Sequence, residues 1–196
     1  MVVEVSQNRR SVLHMKSLMI LGTTHSQVPL IQAAKDLGYR TIAVGIKGNY
    51  PGIAIADDVC YIDVKDKEGV LKAAQKYRID GITSCCMDIG LKSVGYVCSK
   101  MGLYGLSESV ANVSTNKYHM KCALVKHGVN TARFCKVTSL DQLEEISKKL
   151  NFPLVVKAVD LASCKGIYVV RTINDLYIAY KGAMEITKKN YCIIEE

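Results

Sequence analysis

Three late segments hold the residue types that phosphate chemistry uses. Phe152-Pro153-Leu154-Val155-Val156-Lys157 sets a lysine at the end of an apolar strand, Ser163-Cys164-Lys165-Gly166-Ile167 is a loop running into a second strand, and Cys192-Ile193-Ile194-Glu195-Glu196 carries a third strand out into two carboxylates. Side chains alternate along a strand, so Lys157 lies beside a buried apolar face where its ammonium is partly desolvated and a phosphate is a good partner. The loop through Ser163, Lys165 and Gly166 can then cover that phosphate. Glu195 and Glu196, at a strand exit, can meet the polar edge of a base or a ribose. The second half of such a site would have to come from further sequence, so the chain is expected to be a fragment carrying half an active site. Blander readings stay open: Lys157 could snorkel to solvent, Gly166 could serve only as a turn, and the glutamates could form a solvated end.

The elements that must position these residues follow from periodicity. Leu18–Leu21, Thr41–Gly45, Cys60–Asp63 and Gly81–Ser84 are strand candidates, with a short one near Leu103-Tyr104. Between them, Leu30, Ala33, Ala34 and Leu37, then Val70, Ala73, Ala74 and Tyr77, then Val94, Val97, Cys98 and Met101 each form one apolar helical stripe. Strands alternating with such helices imply right-handed βαβ units and an open, Rossmann-like parallel sheet, an α/β domain over 16–112. Over 113–196 the order changes. A helix carrying Met120, Ala123, Leu124 and His127 ends at Gly128, followed by strand 132–137, helix 139–150, strands 154–158 and 167–171, helix 174–188 and strand 191–195. Ser139 and Asn174 are the expected N-caps. Two strands joined directly between two helices give a small antiparallel α+β lobe. Residues 1–15 are expected to be a poorly ordered leader.

Composition narrows the function classes. At 196 residues and 49% apolar, the chain can bury a real core. No apolar run approaches the ~20 residues that span a bilayer, and no signal-peptide pattern opens the chain, so a soluble, cytoplasmic protein is expected. Eight cysteines without a CxxC spacing fit reduced thiols used in packing. Adjacent Cys85 and Cys86 are expected not to join, since strand neighbours point to opposite faces. The net charge of +8 is spread along the chain. That suits an anionic small molecule, whereas nucleic-acid binding calls for a basic stripe with exposed aromatics.

The ends of the early strands offer a second set of candidates. His25, in Gly22-Thr23-Thr24-His25-Ser26 after the first strand, sits where open α/β sheets bind ligands, and Asp88 follows the fourth strand; both are candidates for a substrate side. Asp57-Asp58 could touch a ribose or form a solvated turn.

Taken in order, Asn116-Lys117 opening a helix, Gly128-Val129-Asn130-Thr131 closing it, the Lys157 strand, Ser163 to Ile167 and Ile193 to Glu196 resemble the small lobe of the ATP-grasp superfamily. The parallel domain resembles the one that precedes that lobe, and the nearest likeness is to the carbamoyl-phosphate synthase large-subunit and biotin carboxylase branch. The resemblance implies an ATP-dependent carboxylate–amine or carbon–nitrogen ligase with an acyl-phosphate intermediate. Lys117 and Lys157 would neutralise phosphates, Lys165-Gly166 would form the covering loop, and Glu195-Glu196 would mark a hinge against adenine. It also implies Mg²⁺ held by carboxylates of a large lobe outside this chain, and hence no catalytic or metal residue within it. Partners would be a small-molecule carboxylate and an amine, with no nucleic acid or membrane and a homodimer as an option. The loop is poorer in glycine than its relatives. Two rivals remain. One is a non-catalytic nucleotide-binding or regulatory module with the same fold. The other is an NAD-dependent oxidoreductase, for which Gly22-Thr23-Thr24-His25-Ser26-Gln27 has only the first of the required glycines.

Overall fold

The computed structural model describes residues 15–196, so the expected leader lies, apart from Met15, outside the described residues. The chain divides between Gly105 and Leu106 into two compact units.

In the first unit, strands β1 (Ser17–Leu21), β2 (Arg40–Gly45), β3 (Asp58–Tyr61) and β4 (Gly81–Ser84) form a wholly parallel sheet in the order β3-β2-β1-β4. Helices α1 (Val28–Asp36), α2 (Pro51–Ile55), α3 (Lys67–Tyr77) and α4 (Leu91–Met101) connect or follow the strands. Met19, Ile20 and Leu21 on β1 and Ile42, Ala43 and Val44 on β2 are fully buried, so both faces are covered and the strands read as unbroken apolar runs. The stripes of α3 and α4 lie inward as periodicity requires. In α1 the buried residues are instead Ile31 and Ala34, with Leu30 packed beside them. Leu37 is exposed because the helix stops at Asp36 and Gly38, at φ 79, turns the chain away. No strand forms at Leu103-Tyr104 either. Leu103 N–H bonds back to Cys98 O, closing α4, and the positive φ angles of Gly102 and Gly105 prevent an extended run. Cys85 and Cys86 lie past the end of β4, with Cys86 at φ 52, so strand alternation does not separate them, and the Cys85 thiol donates to Ser26 O at 3.3 Å.

The second unit contains α5 (Glu108–Ser114), α6 (Lys117–Lys126), β5 (Phe134–Val137), α7 (Leu143–Lys149), β6 (Leu154–Ala158), β7 (Ile167–Val170), α8 (Ile173–Ile186) and β8 (Cys192–Glu195). The strands form an antiparallel sheet in the order β5-β8-β6-β7. One face carries Val137, Leu154, Val156, Val170, Cys192 and Ile194 into a core with α7 and α8. The alternate residues Phe134, Lys157, Ile193 and Glu195 occupy the other face, in register with one another and met by α6. Ser139, an expected N-cap, forms a capping box with Gln142 on a 3-10 turn that leads into α7. The cap of α8 is Thr172 rather than Asn174: Thr172 is extended and its hydroxyl accepts from Asp175 N–H, while Asn174 is already helical.

Candidate functional site

Four charged side chains converge on the α6-facing side of the second sheet. Lys157, next to last in β6, pairs with Ile193 of β8, which brings its side chain beside Glu195 two residues further along the same face. Its ammonium donates to Glu195 Oε1. Lys121 of α6 donates to Glu195 Oε2 at 2.6 Å, and both of those side chains are under 10% exposed. Lys117, one turn earlier on the same helix face, donates from Nζ to Leu161 O. Asn116 caps that helix by accepting from His119 N–H and also donates to the Tyr191 hydroxyl at 2.9 Å, which fixes the angle at which α6 meets the sheet. Lys117 N–H bonds to Val159 O, tying the helix start to the end of β6.

A cavity of about 190 Å³ opens among these groups, with Met120, Leu124 and Ile193 as its apolar walls. It is smaller than the roughly 300–1,000 Å³ of pockets that enclose a drug-sized molecule, so it can hold part of a ligand. Lys121 and Lys157 share the Glu195 carboxylate and Lys117 lines the same cavity, an excess of two positive charges. Burial pushes the Lys121 ammonium below the ordinary lysine value. Lys157 is lowered as well, by burial first and then by the neighbouring Lys121 and Lys117 ammoniums. Chemically the site is a partly desolvated cleft with a net positive charge.

The remaining expected residues are distributed around this centre. Ser163 and Lys165 are exposed on the loop between β6 and β7, and Ser163, Cys164 and Gly166 have φ of 56, 59 and 68. Gly166 O accepts from Ala158 N–H at 2.8 Å, and a Cβ on Gly166 would come within 2.7 Å of Ala158 Cβ, so only glycine fits that close return. Glu196 does not join the cleft. Alternation along the strand turns it away from Glu195, and it takes both Arg133 and the backbone and side-chain amides of Asn151. Lys121 was not legible from periodicity, which assigned Met120, Ala123, Leu124 and His127 to the inner face of α6. Met120 and His127 are exposed there and Lys121 is buried, because a carboxylate across the sheet compensates it. Its spacing of four from Lys117 was the available signal.

In the first unit, His25 lies in a 3-10 turn after β1 and Asp88 opens another after β4, both exposed. Gln27 Nε2 donates to Cys85 O at 2.7 Å, joining the two loops at the carboxyl end of the sheet. Asp57 is structural: it accepts from Thr41 N–H and hydroxyl, both at 2.8 Å, and pairs with Lys35. Among the described residues no three His, Cys, Asp or Glu side chains are grouped to hold a metal ion, and no helix is long and apolar enough to cross a membrane.

Residues 122–196 match the ATP-grasp domain family. The chain is 27% identical over 185 residues to formate-dependent phosphoribosylglycinamide formyltransferase of Prochlorococcus marinus, covering 92% of this chain and 47% of that protein. Among solved structures, phosphoribosylglycinamide synthetase from Anaerococcus prevotii superposes with a TM-score of 0.71 at 36% identity, over 92% of this chain and 45% of that one. The biotin carboxylase domain of Hydrogenobacter thermophilus 2-oxoglutarate carboxylase, solved as a dimer with MgADP, ADP and bicarbonate, superposes with a TM-score of 0.77 at 19% identity, over 92% and 44%. At that identity the likeness concerns the fold alone. The chain spans about half the length of the curated relatives it matches.

Proposed function

We propose that this chain, which belongs to the ATP-grasp superfamily, supplies the phosphate-holding side of an ATP site in an ATP-dependent carboxylate–amine or carbon–nitrogen ligase. The observation that carries the reading is the pairing of Lys121 and Lys157 with one buried carboxylate in a cavity that Lys117 also lines. Transfer of a phosphoryl group depends on fixed cations more than on covalent help from the protein, and a desolvated ammonium holds a phosphate more strongly than one in bulk water.

In this reading ATP phosphorylates a carboxylate substrate, and an amine attacks the resulting acyl phosphate. Lys157 and Lys117 neutralise phosphate oxygens. The loop through Ser163, Lys165 and Gly166 closes over them, its left-handed residues turning backbone N–H groups towards an anion. Glu195 lies at the adenine end of the cleft, and Glu196, held by Arg133, fixes the strand that carries it. Glu195 places both carboxylate oxygens on lysines. His25 and Asp88 are assigned to the substrate side. Two relatives carry phosphoribosylglycinamide in their names, which makes that class of phosphoribosyl amine the first substrate to test.

Calorimetric titration with ATP and with NAD tests the proposal. ATP is expected to bind in preference to NAD, and Lys157→Ala to weaken it by about 1–3 kcal/mol, the loss of a charge-assisted hydrogen bond. Preference for NAD, or an ATP affinity that ignores the substitution, refutes it. ATP binding that persists without turnover in the full-length protein favours the non-catalytic nucleotide-binding module.

A further inference from the structure

The Glu195 carboxylate is held by two cations, and the two are not equivalent. Lys121 reaches Oε2 from α6 with its side chain 8% exposed, and its ammonium also lies 5.3 Å from the centre of the Phe134 ring. Lys157 reaches Oε1 from β6 with 24% of its side chain exposed, at the cavity wall. A ligand phosphate entering the cavity competes with Glu195 for the Lys157 ammonium and can draw it away. Were Lys157 the sole partner, that step would strand a carboxylate in a site where Glu195 is only 6% exposed, an uncompensated buried charge whose cost would oppose ligand capture. With Lys121 in place, Glu195 stays neutralised when Lys157 leaves.

We infer that Lys121 is a positioning residue for phosphate capture: it retains Glu195 so that Lys157 can exchange its internal carboxylate for a ligand phosphate. The inference rests on the phosphate role proposed for Lys157. It has an unusual sign, because deleting a cation at some other point of an anion site would simply lower the local potential, and removing the adjacent carboxylate would restore it only in part. Here removing Lys121 locks Lys157 onto Glu195, and removing the negative charge of Glu195 releases it. Lys117 is the other charged group at the cavity and serves as a common background, since every variant keeps it.

The experiment uses the chain itself with inorganic tripolyphosphate and ATP as probes, in the wild type, Lys121→Met, Lys121→Arg, Glu195→Gln and the Lys121→Met/Glu195→Gln double variant. Lys121→Met is expected to weaken both probes by roughly tenfold to a hundredfold, the scale of one hydrogen bond to a charged group. Lys121→Arg, which can still hold Glu195, and the double variant are expected to recover most of that loss. A second readout is the titration of the Lys157 ammonium by ¹³Cε resonance. In Lys121→Met it is expected to move upward, since a neighbouring positive charge is gone and Glu195 turns wholly to Lys157. A merely structural role for Lys121 would not produce the recovery in the double variant. Wild-type binding that Lys121→Met leaves unchanged, or a loss that Glu195→Gln does not repair in a double variant with native circular dichroism, overturns the inference alone. Absence of tripolyphosphate binding by the wild type overturns the phosphate role of Lys157, and the inference with it.

Discussion

Replacing Glu195 by alanine tests the charge balance of the cleft without any ligand. The substitution removes the carboxylate that accepts from Lys121 at 2.6 Å and from Lys157 on its other oxygen. Lys157 is exposed enough to turn its ammonium towards water, so its share of the loss is small. Lys121 is not, and it becomes a buried cation without a counter-charge, a situation that costs about 3–5 kcal/mol. Against the roughly 5–15 kcal/mol that holds a typical domain, this is a large part of the total. The cost also has a pH signature. Burial already sets the folded-state value of Lys121 below the ordinary 10.5, so between the folded and unfolded values the unfolded chain binds more protons and stability rises with pH. Losing Glu195 widens that window, and the deficit of Glu195→Ala should shrink as pH climbs from 7 towards about 10. Urea denaturation followed by far-UV circular dichroism is the suitable assay, because the chain has no tryptophan. Wild-type stability in Glu195→Ala at neutral pH, or a deficit constant with pH, would refute the reasoning.

Two further predictions concern the rim of the site. The Arg133 guanidinium, and after it the Asn151 N–H, hold the Glu196 carboxyl down to about 2, so whatever the contact contributes is present above the unfolded value near 4.5 and is lost as pH falls through 2. Carboxyl ¹³C titration should find that low midpoint in the wild type and a return towards 4.5 in Arg133→Ala, and a midpoint indifferent to Arg133 would rule out the pairing. Gly166→Ala should destabilise the chain by about 1–3 kcal/mol, since alanine must take a φ of 68 and press its Cβ against Ala158. A thermal midpoint equal to the wild type would refute the close approach of Gly166 to Ala158.

Much of this arrangement was legible in the residues alone. Apart from the short helices α2 and α5 and the strand that does not form at Leu103-Tyr104, the order of strands and helices followed from periodicity, and Lys157 and Glu195 were singled out from their positions at strand ends. What stayed hidden depended on contacts distant in sequence. Lys121 looked like one more polar helix residue, because a buried lysine is recognisable only once its carboxylate is known, and that carboxylate lies on a strand far along the chain. Glu195 and Glu196 looked like a matched pair although strand alternation sends them to different partners, a rule that applied equally well before the structure was known. The helix Pro51–Ile55 is too short to carry a period, and the termination of α1 before Leu37 was set by Gly38 rather than by hydrophobicity.

The second sheet works as a partition. Its two faces draw on alternating residues of the same strands, so the wholly apolar core and the charged cluster, with Phe134 and Ile193 beside it, are kept in separate compartments by nothing more than parity along the backbone. A change at Val156 or Ile194 is felt by α7 and α8, whereas a change at Lys157 or Glu195 is felt by α6. Variation in melting behaviour and variation in anion preference can therefore accumulate independently, and a lineage could retune one while leaving the other untouched.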